Sequence, residues 1–423
     1  MHIFRSVIIS IALILISSCT KQESRDQNLQ AAYPESITLS ARNPLDLPRE
    51  DAVFTLAVEE LTSKRADFNP EAFVVLLDSV EIASQGNDLD GDGQVDQVVC
   101  VGDLEPGAVK EVTVRYAVSG ESQREYPRRT QAEISHKTGG QWEQRKYIGG
   151  SFENVSFLRV PDEHTDHSTF IRYEGPGWES DRVGYRFYLD WRNAIDIFGK
   201  KVTTMVLQDV GQDGFDSYHE MSDWGMDILK VGESLGIGSL GMWLGDRAER
   251  VAETDSITSA VVANGPVQAI IRTDYYGWNV GGRKYMLSSQ LSISAGSRAT
   301  RHDVTIEPVP ENLCTGIVKH PDAQVLNYQN TQAEWAYLGT YGPQSLAGDE
   351  LGMAIIYRVQ DLIELTEDQH SLVATLRPRD GKLTYYFLAA WQMEPDGIRT
   401  EGEFTDYLGM LTRELDSPVE ISP

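Results

Sequence analysis

The chain has 423 residues, 41% of them hydrophobic and 24% charged, which is enough for a large core and, by length, for two domains or three. Acidic residues number 64 against 37 basic ones, a net charge of −27 with no basic stripe, which excludes nucleic acid as a partner. Glycine at 36 and proline at 17 are ordinary, which excludes collagen-like and low-complexity chains.

The first element in chain order is a leader. Residues 1–18 carry one early charge, Arg5, and then an apolar run over 7–16 broken only by Ser10. The run is too short to span a bilayer and has the form of a signal-peptide core. Leu15-Ile16-Ser17-Ser18-Cys19 reads as a lipoprotein cleavage box, with Cys19 carrying the lipid. An ordinary secretory signal with an incidental cysteine is the other reading. Residues 19–32 are polar and serve as a tether. No later segment is long and apolar enough to cross a membrane. The expectation is a lipid-anchored cell-envelope protein, on the periplasmic side or at the outer membrane, that meets the membrane through its anchor only.

The body of the chain reads as mainly β. Residues 110–118 alternate, with Val112, Val114, Tyr116 and Val118 on one face and Glu111, Thr113 and Arg115 on the other. Further strands are expected at 73–82, 98–101, 203–207, 269–276, 287–293, 304–306, 353–357 and 384–391. Turn residues separate them, so antiparallel sandwiches are expected and not βαβ units. Helix-like pattern is confined to 71–77 (ambiguous with strand), 226–235 and 404–411. The polar stretch 119–131, with Pro127, is the domain boundary. It divides a small β-sandwich over 33–120 from a large double sheet over 131–423. Cys100 and Cys314 are left either as a disulfide or as two buried thiols.

Three features could carry chemistry. The first is Asp88-Leu-Asp90-Gly-Asp92-Gly93-Gln-Val-Asp96, whose alternating carboxylates match the first half of a calcium loop. Position twelve of that loop is Val99, so the bidentate glutamate is missing. A structural calcium and an ordinary Asp/Gly turn are the two readings; no cofactor is required for activity.

The second feature is the stretch 173–201. Arg172, Arg182, Arg186 and Arg192 concentrate positive charge on an acidic chain, as an anionic ligand requires. Read as a strand, it places Tyr185, Phe187, Leu189 and Trp191 on one face and Arg186, Tyr188, Asp190 and Arg192 on the other. Asp190 then orients an arginine, Tyr188 exchanges a proton, and Trp178 offers an indole for stacking a sugar. A solvated face with cross-strand ion pairs is the bland alternative.

The third feature is histidine placement. His219 lies among aromatic and acidic residues beside Tyr218, and His320 follows Lys319. His302 reads as a core or edge histidine. His164 and His167 form a pair without a clear third metal ligand. No GxSxG, HExxH, P-loop or dinucleotide fingerprint is present.

The stretches 173–201, 216–241 and 301–306, together with 84–99, resemble a bacterial family labelled as a domain of unknown function. The resemblance spans roughly residues 35–415. Such proteins are encoded in polysaccharide-utilisation loci, and the family is similar to, and includes, an oligosaccharide dehydratase acting on ulvan fragments. The resemblance implies a galactose-mutarotase-like β-supersandwich for the large domain. It also implies loss of water across C4–C5 of a non-reducing-end glucuronyl residue, leaving a 4,5-unsaturated uronyl end. That chemistry needs a neutralised carboxylate, a base for H5 and an acid for the departing hydroxyl. From the residues, Arg186 and Arg192 suit the first task, His219 the second, and Tyr218 or Tyr188 the third. Lys319 and His320 are second candidates for the proton transfers. Arg172, Trp178 and Asp190 complete the binding set for an anionic uronic-acid oligosaccharide. A polysaccharide lyase would use nearly the same residues, and a non-catalytic glycan-binding lipoprotein would need no His219.

Overall fold

The computed structural model describes residues 28–215, 217–328 and 332–423. The leader, the tether up to residue 27 and Cys19 lie outside the described residues.

The small sandwich follows from alternation. In the strand Val109–Tyr116, Val112, Val114 and Tyr116 are buried and the residues between them are not. The strands Glu35–Arg42 and Phe73–Leu77 flank it in a five-stranded sheet. A three-stranded sheet built on Gln97–Leu104 closes the other side of the core. Ile37, Leu39, Phe54, Leu56, Val75, Val98, Val112 and Val114 fill the space between them. Each such side chain stabilises the fold by about 1.5–3 kcal/mol on full burial. One edge of the five-stranded sheet is the C-terminal strand Glu420–Ser422, paired with Glu35–Arg42. The small unit therefore includes the last residues of the chain, which the boundary at 131–423 gave to the large one. The run at 71–77, ambiguous in sequence, is strand because Phe73–Leu77 is buried on both faces.

The large unit is a nine-stranded sheet facing a six-stranded and a five-stranded one, all antiparallel. Trp178, Tyr185, Ile197, Leu240, Trp278, Leu291, Ile355, Tyr385 and Phe387 meet in a single core. The expected strands at 269–276, 287–293, 304–306, 353–357 and 384–391 all fall within longer ones. Three expectations fail: in the small unit 73–82 is a hairpin of two strands, Phe73–Leu77 and Val80–Ile82, and two more fail in the large unit. Residues 203–207 form bends leading into a short 3-10 turn, and 226–235 is a strand end followed by loop. The periodicity at 226–235 came from Ile228, Leu229, Val231 and Leu235, each buried against the large unit from a loop.

The helix Glu401–Asp416 is capped by Thr400, whose side chain accepts from the Glu403 amide at 3.2 Å. Its buried face, Phe404 and Leu408, packs on the outer side of the nine-stranded sheet. Gly352 is required beneath it, because a Cβ there would lie 2.7 Å from the Phe404 ring. Arg129 ties the two units together, reaching Asp51 at 2.6 Å and Asp181 at 2.7 Å. Cys100 and Cys314 are free thiols buried in separate cores.

Candidate active site

The site is built on one end of the six-stranded sheet. Three neighbouring strands each contribute one charge: Arg186 from Val183–Phe187, Asp196 from Ile195–Lys200 and Asp227 from Gly225–Asp227. Arg186 and Asp196 are direct cross-strand partners. Gly225, with φ +133, lets the third strand approach, since a Cβ there would fall 1.8 Å from the Gly199 carbonyl oxygen.

Arg186 is the hub. Its Nη2 reaches Asp196 at 2.7 Å, Asp227 at 2.5 Å and the Tyr188 hydroxyl at 3.1 Å. Its Nη1 donates to the Tyr218 hydroxyl at 2.8 Å, with Glu174 at 4.0 Å. Tyr188 donates its own proton to Asp196. The Tyr218 oxygen accepts from Arg186, and its O–H has no acceptor among the described residues. Burial pushes both phenols above the ordinary range, so both hold their protons at neutral pH.

Tyr218 and His219 share the short 3-10 turn Ser217–His219. Adjacent residues of a strand would point apart, but this turn keeps their ring centroids 4.6 Å from one another. His219 Nδ1 lies 2.6 Å from the Phe215 carbonyl, which can only accept, so that nitrogen carries a proton. Nε2 faces Asp227 at 3.4 Å and is the atom left to exchange one. The Asp227 carboxylate holds the His219 pKa above the ordinary imidazole value, against a smaller opposing effect of burial. The His219 side chain is 45% exposed, whereas Arg186 and Asp227 are almost fully buried, so His219 forms the mouth of the site. Burial, reinforced by Asp227 and opposed by Arg186, pushes the Asp196 carboxyl up to about 6.

A second arginine system adjoins the first. Arg192 reaches Asp190 at 2.5 Å, Glu174 at 2.7 Å and Asp166 at 3.0 Å, and its guanidinium lies 4.0 Å from the Tyr188 ring centroid. Burial disfavours ionisation of Glu174, but Arg192 and Arg186 outweigh it and bring the carboxyl down to about 2. Burial raises Asp166 instead. Backbone strain collects here: His167, Thr169, Tyr173, Glu174 and Asn193 have φ of 57°, 61°, 38°, 74° and 40°. Asp166, His167 and Glu174 place three ligand atoms close enough for a metal, but the Arg192 guanidinium already occupies two of those carboxylates.

The sequence expectations fare unevenly. Arg186, Tyr188, Asp190, Arg192, Tyr218 and His219 come together. They do so through a turn, because the strand ends at Phe187 and does not run on to Arg192. Trp191 is consequently exposed and does not lie on the core face with Tyr185 and Phe187. Trp178 cannot stack a sugar: it is fully buried between the sheets and donates to Thr300 at 2.9 Å. Arg172 is equally enclosed, ion-paired to Glu133 and donating to the Gln208 carbonyl at 3.0 Å, so it has no face for a ligand. Among the described residues Lys319 and His320 touch no member of the cluster; Lys319 pairs with Glu367 at 3.0 Å and His320 accepts from the Asp322 amide at 3.3 Å. His302 is a core histidine bonded to Ser289 at 2.6 Å. His164 bonds Ser168 at 2.8 Å, and burial brings it down to about 4.

Asp196, Asp227, Glu174 and Asp166 were missed. The readable signal was a lone aspartate inside an apolar run, Ala194–Phe198 for one and Met226–Leu229 for the other, which demands a buried cation. The arginine concentration was read as free positive charge. In the structure two guanidiniums face five carboxylates, Asp166, Glu174, Asp190, Asp196 and Asp227.

The Asp88–Asp96 loop lies in the small unit. Asp88, Asp90 and Asp96 bring oxygens within 4.8 Å of one another, and Asp92 stands outside that group. Asp88 accepts from the Gly91 and Gly93 amides at 2.7 and 2.8 Å, which hold its carboxyl low.

These features define a mainly β, two-sandwich protein with a buried arginine–carboxylate–tyrosine centre and a histidine at its mouth. The chain belongs to the family described as domain of unknown function DUF4861, whose model matches residues 41–421 and so runs through both sandwiches. No curated protein matches it. Among solved structures it is similar to a glycosyl hydrolase family 38 protein from Enterococcus faecalis at 10% identity and TM-score 0.44, covering 93% of this chain and 48% of that one. An alpha-mannosidase from Enterococcus faecalis V583 is similar at 10% identity and TM-score 0.40, covering 92% of this chain and 46% of that one. The chain thus spans about half the length of these structures.

Proposed function

We propose that the protein is a carbon–oxygen lyase that dehydrates a uronic-acid oligosaccharide, removing water across C4–C5 of a saturated glucuronyl end. The observation that carries this reading is the convergence of a free tyrosine O–H and an exchangeable histidine nitrogen on one arginine–carboxylate cluster. The sequence resemblance to an ulvan oligosaccharide dehydratase supports the substrate class. Arg192 takes the substrate carboxylate; it is partly exposed, and the substrate displaces Asp166, the most exposed of its three carboxylate partners. His219 Nε2 accepts H5. The C4–O bond breaks as Tyr218 gives its proton to the departing hydroxyl, and the C4=C5 double bond forms. Arg186 stabilises the resulting phenolate across 2.8 Å, and the proton held by His219 returns to it.

The test incubates the mature chain with oligosaccharides ending in a saturated glucuronyl residue and follows ultraviolet absorbance and product mass together. Rising absorbance with loss of one water and no shortening is the expected result. Shorter fragments would make the protein a polysaccharide lyase, and unchanged substrate with retained binding would make it a glycan-binding protein. The proposal extends to a lipid anchor at Cys19 in the cell envelope. Calcium enters it as a structural ion of the Asp88–Asp96 loop; adding it then raises the melting temperature and leaves turnover unchanged.

A further inference from the structure

Next to the acidic centre the turn Asp190–Asn193 puts one aromatic side chain into solvent. The Asn193 amide donates to the Asp190 carbonyl at 3.0 Å, and the Arg192 amide to Asp190 Oδ1 at 2.9 Å. Asn193 takes the left-handed conformation that closes the turn. Asp190 and Arg192 are anchored inward, so Trp191 between them is held at the tip with 49% of its surface exposed. Such a tip loses little conformational freedom when a ligand stacks on it.

Arg250 lies across the indole, its guanidinium 5.6 Å from the ring centroid. Its hydrogen bond is from Nη1 to the Ser234 carbonyl at 3.1 Å, and no carboxylate pairs with it among the described residues. The acidic groups around it each have another partner. Asp190 is held by Arg192 at 2.5 Å and Glu233 by His370 at 3.2 Å. Asp368 accepts from the His370, Ser371 and Ala248 amides at 2.8, 2.7 and 3.2 Å. On a chain with net charge −27, an arginine with no paired carboxylate among the described residues, set beside an exposed tryptophan, is a contrast with Arg186 and Arg192, each ion-paired to two carboxylates or more.

We infer that Trp191 and Arg250 form a second sugar subsite, in which the indole stacks the ring next to the reacting one and Arg250 binds an oxyanion substituent, sulfate or carboxylate, on that ring. The inference rests on the uronic-acid oligosaccharide reading for its substrate class. An indole face and a guanidinium fork together recognise an anionic pyranose, since one supplies dispersion contact and the other bidentate hydrogen bonds. The subsite explains how so acidic a protein holds a polyanionic chain: attraction is placed at the rim and the chemistry in the acidic interior.

The experiment measures binding by calorimetry, without turnover, using wild type, Trp191→Ala and Arg250→Gln at matched melting temperature. The probes are a sulfated uronic-acid trisaccharide, its desulfated form, a form with the second uronate reduced to the neutral sugar, and glucuronate alone. Both variants are expected to bind the anionic trisaccharides about tenfold more weakly and to leave glucuronate binding unchanged. Loss of the effect in one modified probe identifies whether sulfate or carboxylate is bound. Equal affinity of wild type and Trp191→Ala for every trisaccharide, or no binding by wild type, overturns the subsite. Tight, Trp191-dependent binding without dehydration leaves the subsite standing and removes the dehydratase reading.

Discussion

Two buried charge systems sit on neighbouring strands of the six-stranded sheet and differ in their balance. Lys200 and Glu179 are both fully buried and match one to one at 2.5 Å. Lys200 also donates to the Ser180 carbonyl at 2.6 Å, and Glu179 accepts from the Val206 and Leu207 amides at 2.8 and 2.9 Å. Both charges are hydrogen-bonded as well as paired, and neither side chain reaches solvent. The Arg186 centre has one guanidinium shared by Asp196, Asp227 and two phenols, an O–H without an acceptor among the described residues, and a histidine open to solvent. A matched buried pair fixes the fold. An unmatched cluster keeps protons that can move, and strained backbone beside it is retained for the same reason.

The largest effects should separate the two systems. Lys200→Met leaves the Glu179 carboxylate buried without its countercharge, held only by the Val206 and Leu207 amides. The expected cost is about 3–5 kcal/mol, a large share of the roughly 5–15 kcal/mol that holds a domain together. A melting curve should drop steeply, and any remaining activity should follow the folded fraction. His219→Gln should do the opposite, lowering kcat by about a hundred- to ten-thousand-fold with a nearly unchanged melting temperature, because the ring is half exposed. If His219→Gln melts early with normal kcat, the division between matched and unmatched systems is wrong.

The two tyrosines sharpen the contrast within the cluster. The Tyr188 proton is committed to Asp196, whereas that of Tyr218 is not. Tyr218→Phe should therefore lose most of kcat, about a hundredfold or more, with KM little changed. Tyr188→Phe should lose less kcat and more stability, since it leaves the buried Asp196 with one donor fewer. Steady-state kinetics beside denaturant titration decides it. Equal kcat losses in both would mean that the two phenols form one proton relay.

How far the sequence could show this is visible in single residues. Alternation gave the strand containing Val112, Val114 and Tyr116, because one face of that sheet meets a core and the other does not. Alternation failed from Tyr188 onward, because Val183–Phe187 is buried on both faces and the turn beyond it has no period. The arginines, the tyrosines and His219 were legible as types that carry proton chemistry and charge. Their state was not, since neutralisation by Asp196, Asp227, Glu174 and Asp166 depends on residues brought together by sheet pairing and loop closure. The two indoles were misread for related reasons: Trp191 is exposed because its strand ends at Phe187, and Trp178 is enclosed because the strand Gly177–Ser180 is buried on both faces.

The smallest effect probes the coupling of His219 to Asp227. As a base His219 must be neutral, so activity should rise with pH through its folded-state pKa and be lost below it. Asp227 raises that pKa by favouring the charged ring, and the rising limb therefore lies above the ordinary imidazole value of about 6.5. Asp227→Asn removes the largest cause of the shift and should move the limb to lower pH. At pH 5.5 the variant then keeps a larger share of its own maximum rate than the wild type does of its own. Asp227 also holds Arg186, so a lower maximum is expected as well, and the informative quantity is the position of the limb in kcat/KM. A limb that stays in place would mean that the titrating group is neither His219 nor Asp196, since Asp227 raises the pKa of both.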